Sequence, residues 1–170
     1  MFEGRTSRKA PQAIEAEMAI LRIIFHDNKA IRKVRKKLSK SGQEFYKRDY
    51  QIIYKTMLKL FGEEKPIDLI TLIDELKNQW DLKCTGGASY LDMLNMLFLK
   101  KPPTIENDGY SADNLNHYIS IVYKKYLLRY LIVEAQKIVE SAYEEDIKSL
   151  KHCLRNFQKL ILKVDKTLNI

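Results

Sequence analysis

Apolar residues recur at intervals of three and four along most of this chain, which is the period of an amphipathic α-helix. No stretch shows the strict alternation that is typical of a half-buried β-strand. Residues 1–10 are polar and basic, and we expect them to form a disordered tail. The pattern therefore predicts an all-α protein whose first helix follows Pro11.

Residues 11–113 predict a globular head of about five helices. Asp68 stands where a helix N-cap acceptor belongs, and Gly62 is expected to end the helix before it. Prolines and an Asp-Gly pair predict one long loop over Leu99–Ala112. The predicted helices are one with Ile14, Met18, Leu21 and Phe25 on one face, a basic one over Lys29–Lys40, one over Arg48–Phe61 with Tyr50, Ile53, Tyr54, Met57 and Phe61 inward, and two more over Asp68–Trp80 and Ser89–Phe98.

Residues 114–170 predict an antiparallel helical hairpin that protrudes from this head. The stretch from Asn114 to about Tyr143 has no Gly or Pro, and as one helix it would be roughly 45 Å long. Only Glu144-Glu145-Asp146 separates it from a last helix with a coiled-coil repeat, so the two arms must fold back on each other. The repeat positions are Leu128, Leu131, Ala135, Ile138 and Ala142 on the first arm, and Ile147, Leu150, Leu154, Phe157, Ile161, Val164 and Leu168 on the second.

The apolar stripes of both arms are wider than a single seam. Five residues lie off the main repeats and are expected to remain partly exposed: Tyr118, Ile121, Leu127, Leu160 and Leu162. Burying a large apolar side chain contributes ~1.5–3 kcal/mol, so a few suffice for self-association. We therefore favour an oligomerisation arm over a hairpin that only buries itself. The predicted oligomerisation residues are Leu128, Leu131, Ala135, Leu150, Leu154, Phe157 and Ile161.

The net charge of +8 is concentrated in the first part of the chain, where residues 1–62 hold 15 Lys and Arg against 6 Asp and Glu. The densest run, Lys29–Lys40, has seven basic residues and no acidic one. One interpretation is weak, nonspecific DNA contact through Lys33, Lys36 and Lys37. The other is the solvated face of an amphipathic helix, which the 3-4 spacing of Ile31, Val34 and Leu38 and the lack of interleaved aromatic residues favour.

No catalytic apparatus is visible in the sequence. None of the six glycines has another glycine five positions on, as a phosphate-cradling P-loop requires. The three histidines and two cysteines have no metal-type spacing, and Cys84 and Cys153 are expected to be free thiols. No apolar run is long enough for a membrane span, and no signal peptide is present. We predict a cytoplasmic, non-enzymatic chain with no catalytic, cofactor-binding or metal-binding residues and no membrane partner.

Three ordered blocks carry a family resemblance. The first is PQAIEAEMAIL at Pro11–Leu21, the second is PIDLIT followed by a helix and GGASYL within Pro66–Leu91, and the third is HYISIVYKKYLLRYLI at His117–Ile132. Together they resemble the N-terminal domain of DnaB-type replicative DNA helicases, from Pro11 to about Tyr143. Departures from the family pattern are Arg22, Asp49-Tyr50 where a His is frequent, Lys124, and the long loop.

The resemblance implies a head and hairpin whose hairpins pair into dimers, with three dimers forming the collar of a hexameric ring. It also implies docking of primase, or of a helicase loader, on that collar. Tyr90, Ile132 and Ile138 fall at positions that the family uses for primase contact, and Arg129 matches a recurrent arginine. ATP and Mg²⁺ would belong to the motor domain of a full-length helicase, which is not within these residues.

The function predicted from the sequence is therefore a non-catalytic collar domain that acts in DNA replication at the nucleoid. Three alternatives stay open: a stand-alone phage or plasmid adaptor or inhibitor of a helicase, the helicase-binding domain of a primase, and a basic nucleic-acid-binding module. The reading frame after Ile170 distinguishes a stand-alone adaptor from a helicase fragment, because the frame of a helicase fragment would continue into a P-loop sequence.

Overall fold

The computed structural model describes residues 9–79 and 112–168, and every regular element in these residues is helical. The predicted all-α class is confirmed. Three predicted features fall outside the described residues: the helix over Ser89–Phe98, the Gly86-Gly87 pair and nearly all of the long loop. The elements are α1 (Ile14–His26), a 3-10 turn (Asn28–Ala30), α2 (Ile31–Val34), α3 (Arg48–Gly62), α4 (Leu69–Gln79), a second 3-10 turn (Ala112–Asn114), α5 (Leu115–Tyr143) and α6 (Ile147–Leu168).

The chain divides into two compact units. The head unit is the described part of Ala13–Tyr123, and the arm unit is the described part of Met1–Gln12 and Lys124–Ile170. Helix α5 begins in the head unit, where Leu115, Ile119 and Val122 are buried, and continues into the arm unit. The first turns of α5 are thus core residues, and the remainder belongs to the hairpin.

The head unit is built around α1 and α3, which contact each other and bury most of their apolar residues. On α1 the fully buried large apolar side chains are Ile20, Leu21 and Ile24, while the predicted Ile14, Met18 and Phe25 are half-buried and pack against the core. The predicted face of α1 thus belongs to the core, and the helix is covered on further sides as well. Of the predicted inward residues of α3, Tyr50, Ile53, Tyr54 and Met57 are buried, and Phe61 is half-buried against the core.

The basic segment does not form the predicted helix over Lys29–Lys40. A 3-10 turn leads into the four-residue α2, and turns follow. The predicted apolar anchors are nevertheless correct, since Ile31, Val34 and Leu38 are buried. Glu44 explains the break: its carboxylate accepts hydrogen bonds from the Ser39 amide and hydroxyl, both at 2.9 Å, and holds the backbone in a turn.

A second buried carboxylate shapes the approach to α3. Glu17 on α1 is fully buried, and its two carboxylate oxygens accept hydrogen bonds from the backbone amides of Tyr46 (2.9 Å) and Lys47 (3.4 Å). Buried charges require such partners, because an uncompensated one costs several kcal/mol. Glu17 therefore ties α1 to the start of α3, so its place in the EAE block has a structural explanation.

The α3–α4 connection follows two local capping rules. Glu64 has a positive φ of 56°. Its amide donates a hydrogen bond to the Phe61 carbonyl, and the Lys65 amide donates one to the Leu60 carbonyl, which together form a Schellman motif. The left-handed residue is thus Glu64, and not Gly62, which is the last helical residue. Asp68 then caps α4 by accepting from the Thr71 amide at 2.9 Å, as the sequence predicted.

Candidate functional site

The candidate site is a surface of the helical hairpin formed by α5 and α6. Its turn is closed by another Schellman motif, with Glu145 at φ 55° and a 3.1 Å bond from the Asp146 amide to the Ser141 carbonyl. Asp146 then accepts hydrogen bonds from the amides of Lys148 and Ser149, both at 3.0 Å, and one from the Ser149 hydroxyl. These donors, Ser149 foremost, lower the pKa of the Asp146 carboxyl. The predicted acidic turn is therefore also the N-cap of α6.

A stripe of covered residues runs along each arm, and we call the two stripes together the internal seam. The arms meet in it where Ser141 Oγ and Cys153 Sγ lie 4.0 Å apart. Glu134 is also covered in this seam and pairs with Lys137, three residues along the same helix, at 2.7 Å. The pairing raises the pKa of the Lys137 ammonium. The seam positions are Leu127, Leu131, Glu134, Ile138 and Ser141 on α5, and Leu150, Cys153, Phe157 and Leu160 on α6.

This seam differs from the predicted one. Leu127 and Leu160 were expected to stay exposed, but each is only 3% exposed. Three of the predicted repeat residues are instead 39–43% exposed: Leu128, Leu154 and Ile161. The physical reason is that each arm carries two overlapping heptad stripes. On α5 the hairpin closes on the more polar stripe, which contains Glu134 and Ser141, and on α6 it closes on the stripe that contains Cys153 and Phe157.

The second stripe of each arm follows the internal seam by one residue. Its apolar members are Leu128, Ile132, Ala135, Val139 and Ala142 on α5, and Leu154 and Ile161 on α6, all of them exposed; on α6 the same stripe also contains Lys151 and Gln158. One residue along an α-helix is a rotation of about 100°. Because the two arms are antiparallel, the same rotation turns both stripes toward the same side of the hairpin. We call these seven residues the apolar face.

The other side of the hairpin supports this geometry. By the same argument, the residues one position before each seam residue should share the opposite side of the hairpin. Tyr130, Asn156 and Lys159 are three of them. Tyr130 of α5 does line a surface cavity of about 200 Å³ together with Asn156, Lys159 and Leu160 of α6. This opposite side carries more polar groups, including His152, which is 3.0 Å from Asn156.

The predicted oligomerisation residues therefore separate into two groups. Leu128, Ala135, Leu154 and Ile161 lie on the apolar face and are exposed. Leu131, Leu150 and Phe157 are half-buried in the internal seam. A charge placed at Phe157 would disturb the hairpin itself, so Leu154 is the residue whose replacement addresses the exposed surface alone.

The residues that the resemblance assigned to primase contact also occupy different environments. Ile132 lies on the apolar face, whereas Ile138 is half-buried in the seam. Tyr90 lies outside the described residues. Arg129 donates a hydrogen bond from Nη1 to the Pro11 carbonyl at 2.8 Å, within the arm unit. Its visible contact is thus with its own chain.

The basic residues of the head unit form a separate surface. Lys33, Lys36 and Lys37 are exposed, on the outer side of a segment anchored by buried apolar residues. Two arginines of the same run lie over the Phe61 ring, with guanidinium carbons 5.6 Å (Arg32) and 5.9 Å (Arg35) from its centroid. Two guanidinium groups thus lie over an aromatic ring beside three exposed lysines.

No group of three or more His, Cys, Asp and Glu within the described residues could hold a metal ion, and Cys153 is a buried free thiol. No helix among them has the length and apolar character of a membrane span. The buried Tyr54 hydroxyl has no hydrogen-bond partner among these residues, and burial raises its pKa strongly, which is a property of the head core. Sequence reasoning missed the buried carboxylates Glu17, Glu44, Glu75 and Glu134, which no apolar period can reveal.

The fold and surfaces define an all-α, two-unit domain with a helical hairpin and an exposed apolar face, a class typical of assembly modules. The family model for the DnaB-like helicase N terminal domain matches residues 9–124. The chain is 34% identical to the replicative DNA helicase DnaC of Bacillus subtilis over 99% of its own length, and 34% identical to the replicative DNA helicase DnaB of Geobacillus stearothermophilus over 86%. It therefore belongs to the DnaB-like helicase N-terminal domain family.

A solved structure agrees with this assignment. The crystal structure of the N-terminal domain of DnaB helicase from Mycobacterium tuberculosis is similar with a TM-score of 0.68 and 29% identity, and the match covers 92% of this chain and all of that one. The chain spans about a third of the length of the helicases it matches, 34% of the Bacillus protein and 29% of the Geobacillus protein. The family resemblance predicted from the sequence is confirmed.

Proposed function

We propose that this chain is the non-catalytic N-terminal collar domain of a replicative DNA helicase, which assembles helicase subunits into a ring and docks a primase or loader. Family membership supports the role in replication. ATP and Mg²⁺ would be used by a motor domain outside these residues, and the assembly would act in the cytoplasm at the nucleoid. In this proposal residues 11–113 are the head and residues 114–170 the oligomerisation arm, preceded by the basic tail 1–10.

The apolar face of the hairpin is the observation that carries this proposal. The hairpin has already closed on its internal seam, yet a second apolar stripe remains exposed on α5, and the exposed Leu154 and Ile161 of α6 share its side. Exposed apolar surface of this kind marks protein interfaces. A single face that can meet the same face of a second copy is what a two-fold dimer requires, and three such dimers would form a hexameric collar.

Docking of primase or loader is the finer part of the proposal. Ile132 is exposed on the apolar face, so it is available to a partner in the free chain. Tyr90 enters the proposal only through the family resemblance. Ile138 is half-buried in the seam and would act by holding the hairpin. Pairing and docking would then use adjacent parts of one surface.

Two neighbouring residues provide a matched test. Ile132 and Val133 are both apolar, both β-branched and both 45% exposed, but they lie on opposite sides of the hairpin. We expect Ile132→Asp to lower both the sedimentation mass and the affinity for the helicase-binding domain of a cognate primase, because it places an unpaired charge in an apolar contact. Val133→Asp should leave both unchanged.

Equal effects of the two substitutions would contradict the assignment of the apolar face. Loss of self-association with unchanged primase affinity would keep the pairing surface and remove Ile132 from the docking site. Far-ultraviolet circular dichroism of both variants checks that the helical content is retained.

A further inference from the structure

The basic surface of the head unit is not used by the proposed collar function. It comprises seven exposed cations, and no acidic side chain lies within salt-bridge distance of any of them among the described residues. The seven are Lys29, Arg32, Lys33, Arg35, Lys36, Lys37 and Lys40. Surface cations are normally interspersed with acidic partners, so an unpaired cluster of this size requires an explanation beyond solubility.

The fold presents this cluster outward. Ala30, Ile31, Val34 and Leu38 of the same segment are buried in the head core, which leaves the intervening cations no inward alternative. Arg32 and Arg35 lie over Phe61 and are therefore partly preorganised.

We propose that this surface binds the phosphate backbone of duplex nucleic acid without regard to sequence. Unpaired Lys and Arg release condensed counterions when they meet phosphates, and duplex DNA has the higher charge density. Base stacking, which single-strand binding uses, is not favoured here, because Phe61 is only half-exposed and lies under the two guanidinium groups. The partner is thus recognised by charge alone.

The salt dependence of binding measures this directly. Each phosphate contact contributes about 0.9 to the slope of log affinity against log salt, so Lys33→Gln/Lys36→Gln/Lys37→Gln should lower that slope by about 2.7. Between roughly 50 and 200 mM salt, the wild-type chain should then lose about 40-fold more affinity for a short labelled duplex than the variant. A single-stranded oligonucleotide of the same length should bind more weakly.

A control variant removes the same charge elsewhere. Lys77→Gln/Lys148→Gln/Lys159→Gln changes three exposed lysines outside the basic surface, and it should retain the wild-type slope. An equal loss in both variants, or no duplex binding by the wild type at low salt, would overturn the proposal. Binding of anionic lipid vesicles in preference to duplex DNA would overturn the choice of partner. None of these results depends on self-association through the hairpin.

Discussion

At the scale of single residues, buried carboxylates organise this domain more than the apolar pattern suggests. Glu17 holds the backbone that enters α3, Glu44 interrupts the basic segment, and Glu134 lies within the hairpin seam. Each of them has defined hydrogen-bond or ion-pair partners. Such groups are costly to bury, so they are sensitive positions for substitution.

The substitution Glu17→Ala should destabilise the head unit. It removes the acceptor from two part-buried hydrogen bonds of the Tyr46 and Lys47 amides, and each buried group left unsatisfied costs about 1–3 kcal/mol. We expect a fall of roughly 2–4 kcal/mol in the free energy of unfolding, measured in urea. Glu15→Ala, on the exposed side of the same helix, should change it by less than about 0.5 kcal/mol. A similar loss in both variants would remove the special role of Glu17.

At the scale of elements, the sequence predicts helix positions well and helix faces less well. The starts of α3 and α4, the Asp68 cap and the hairpin turn agree with the pattern, because caps and periodicity are local signals. The end of the basic helix was missed because it depends on a side chain, Glu44, that bonds back across five residues. The hairpin seam was misassigned because two stripes fit the same heptad repeat, and only packing distinguishes them.

Two glycines of the head unit should respond oppositely to alanine. Gly62 is helical and a Cβ there would meet nothing within 4 Å, so Gly62→Ala should stabilise the fold by roughly 0.4–1 kcal/mol. Gly42 has a φ of +65°, and a Cβ would lie 3.0 Å from Tyr54 Cδ1, so Gly42→Ala should destabilise it by at least about 1–2 kcal/mol. Thermal and urea unfolding of both variants measure this. The same sign of change in both would contradict the assigned backbone geometry.

At the scale of the whole molecule, the residues that close the hairpin on itself differ from the residues that are proposed to contact a second copy. A partly polar seam closes α5 on α6, and the more apolar stripe of α5 remains outside together with Leu154 and Ile161 of α6. The predicted set of oligomerisation residues mixed these two roles, since both follow the same repeat. Leu128, Ala135, Leu154 and Ile161 are exposed, and in the proposed function they contact a second copy, while the half-buried Leu131, Leu150 and Phe157 hold the two helices of the arm together.

The central claim, that copies meet through the apolar face, is tested most directly by sedimentation equilibrium of a charge placed on α6. At roughly 100 µM, well above the ~1 µM dissociation constant that corresponds to −8 kcal/mol, the wild-type chain should sediment as a dimer or larger species. Leu154→Asp should sediment as a folded monomer, because an unpaired carboxylate in the interface costs several kcal/mol. His152→Asp, on the opposite side of the same helix, should remain associated. A wild-type monomer at this concentration, or a Leu154→Asp variant as associated as the wild type, would contradict the account.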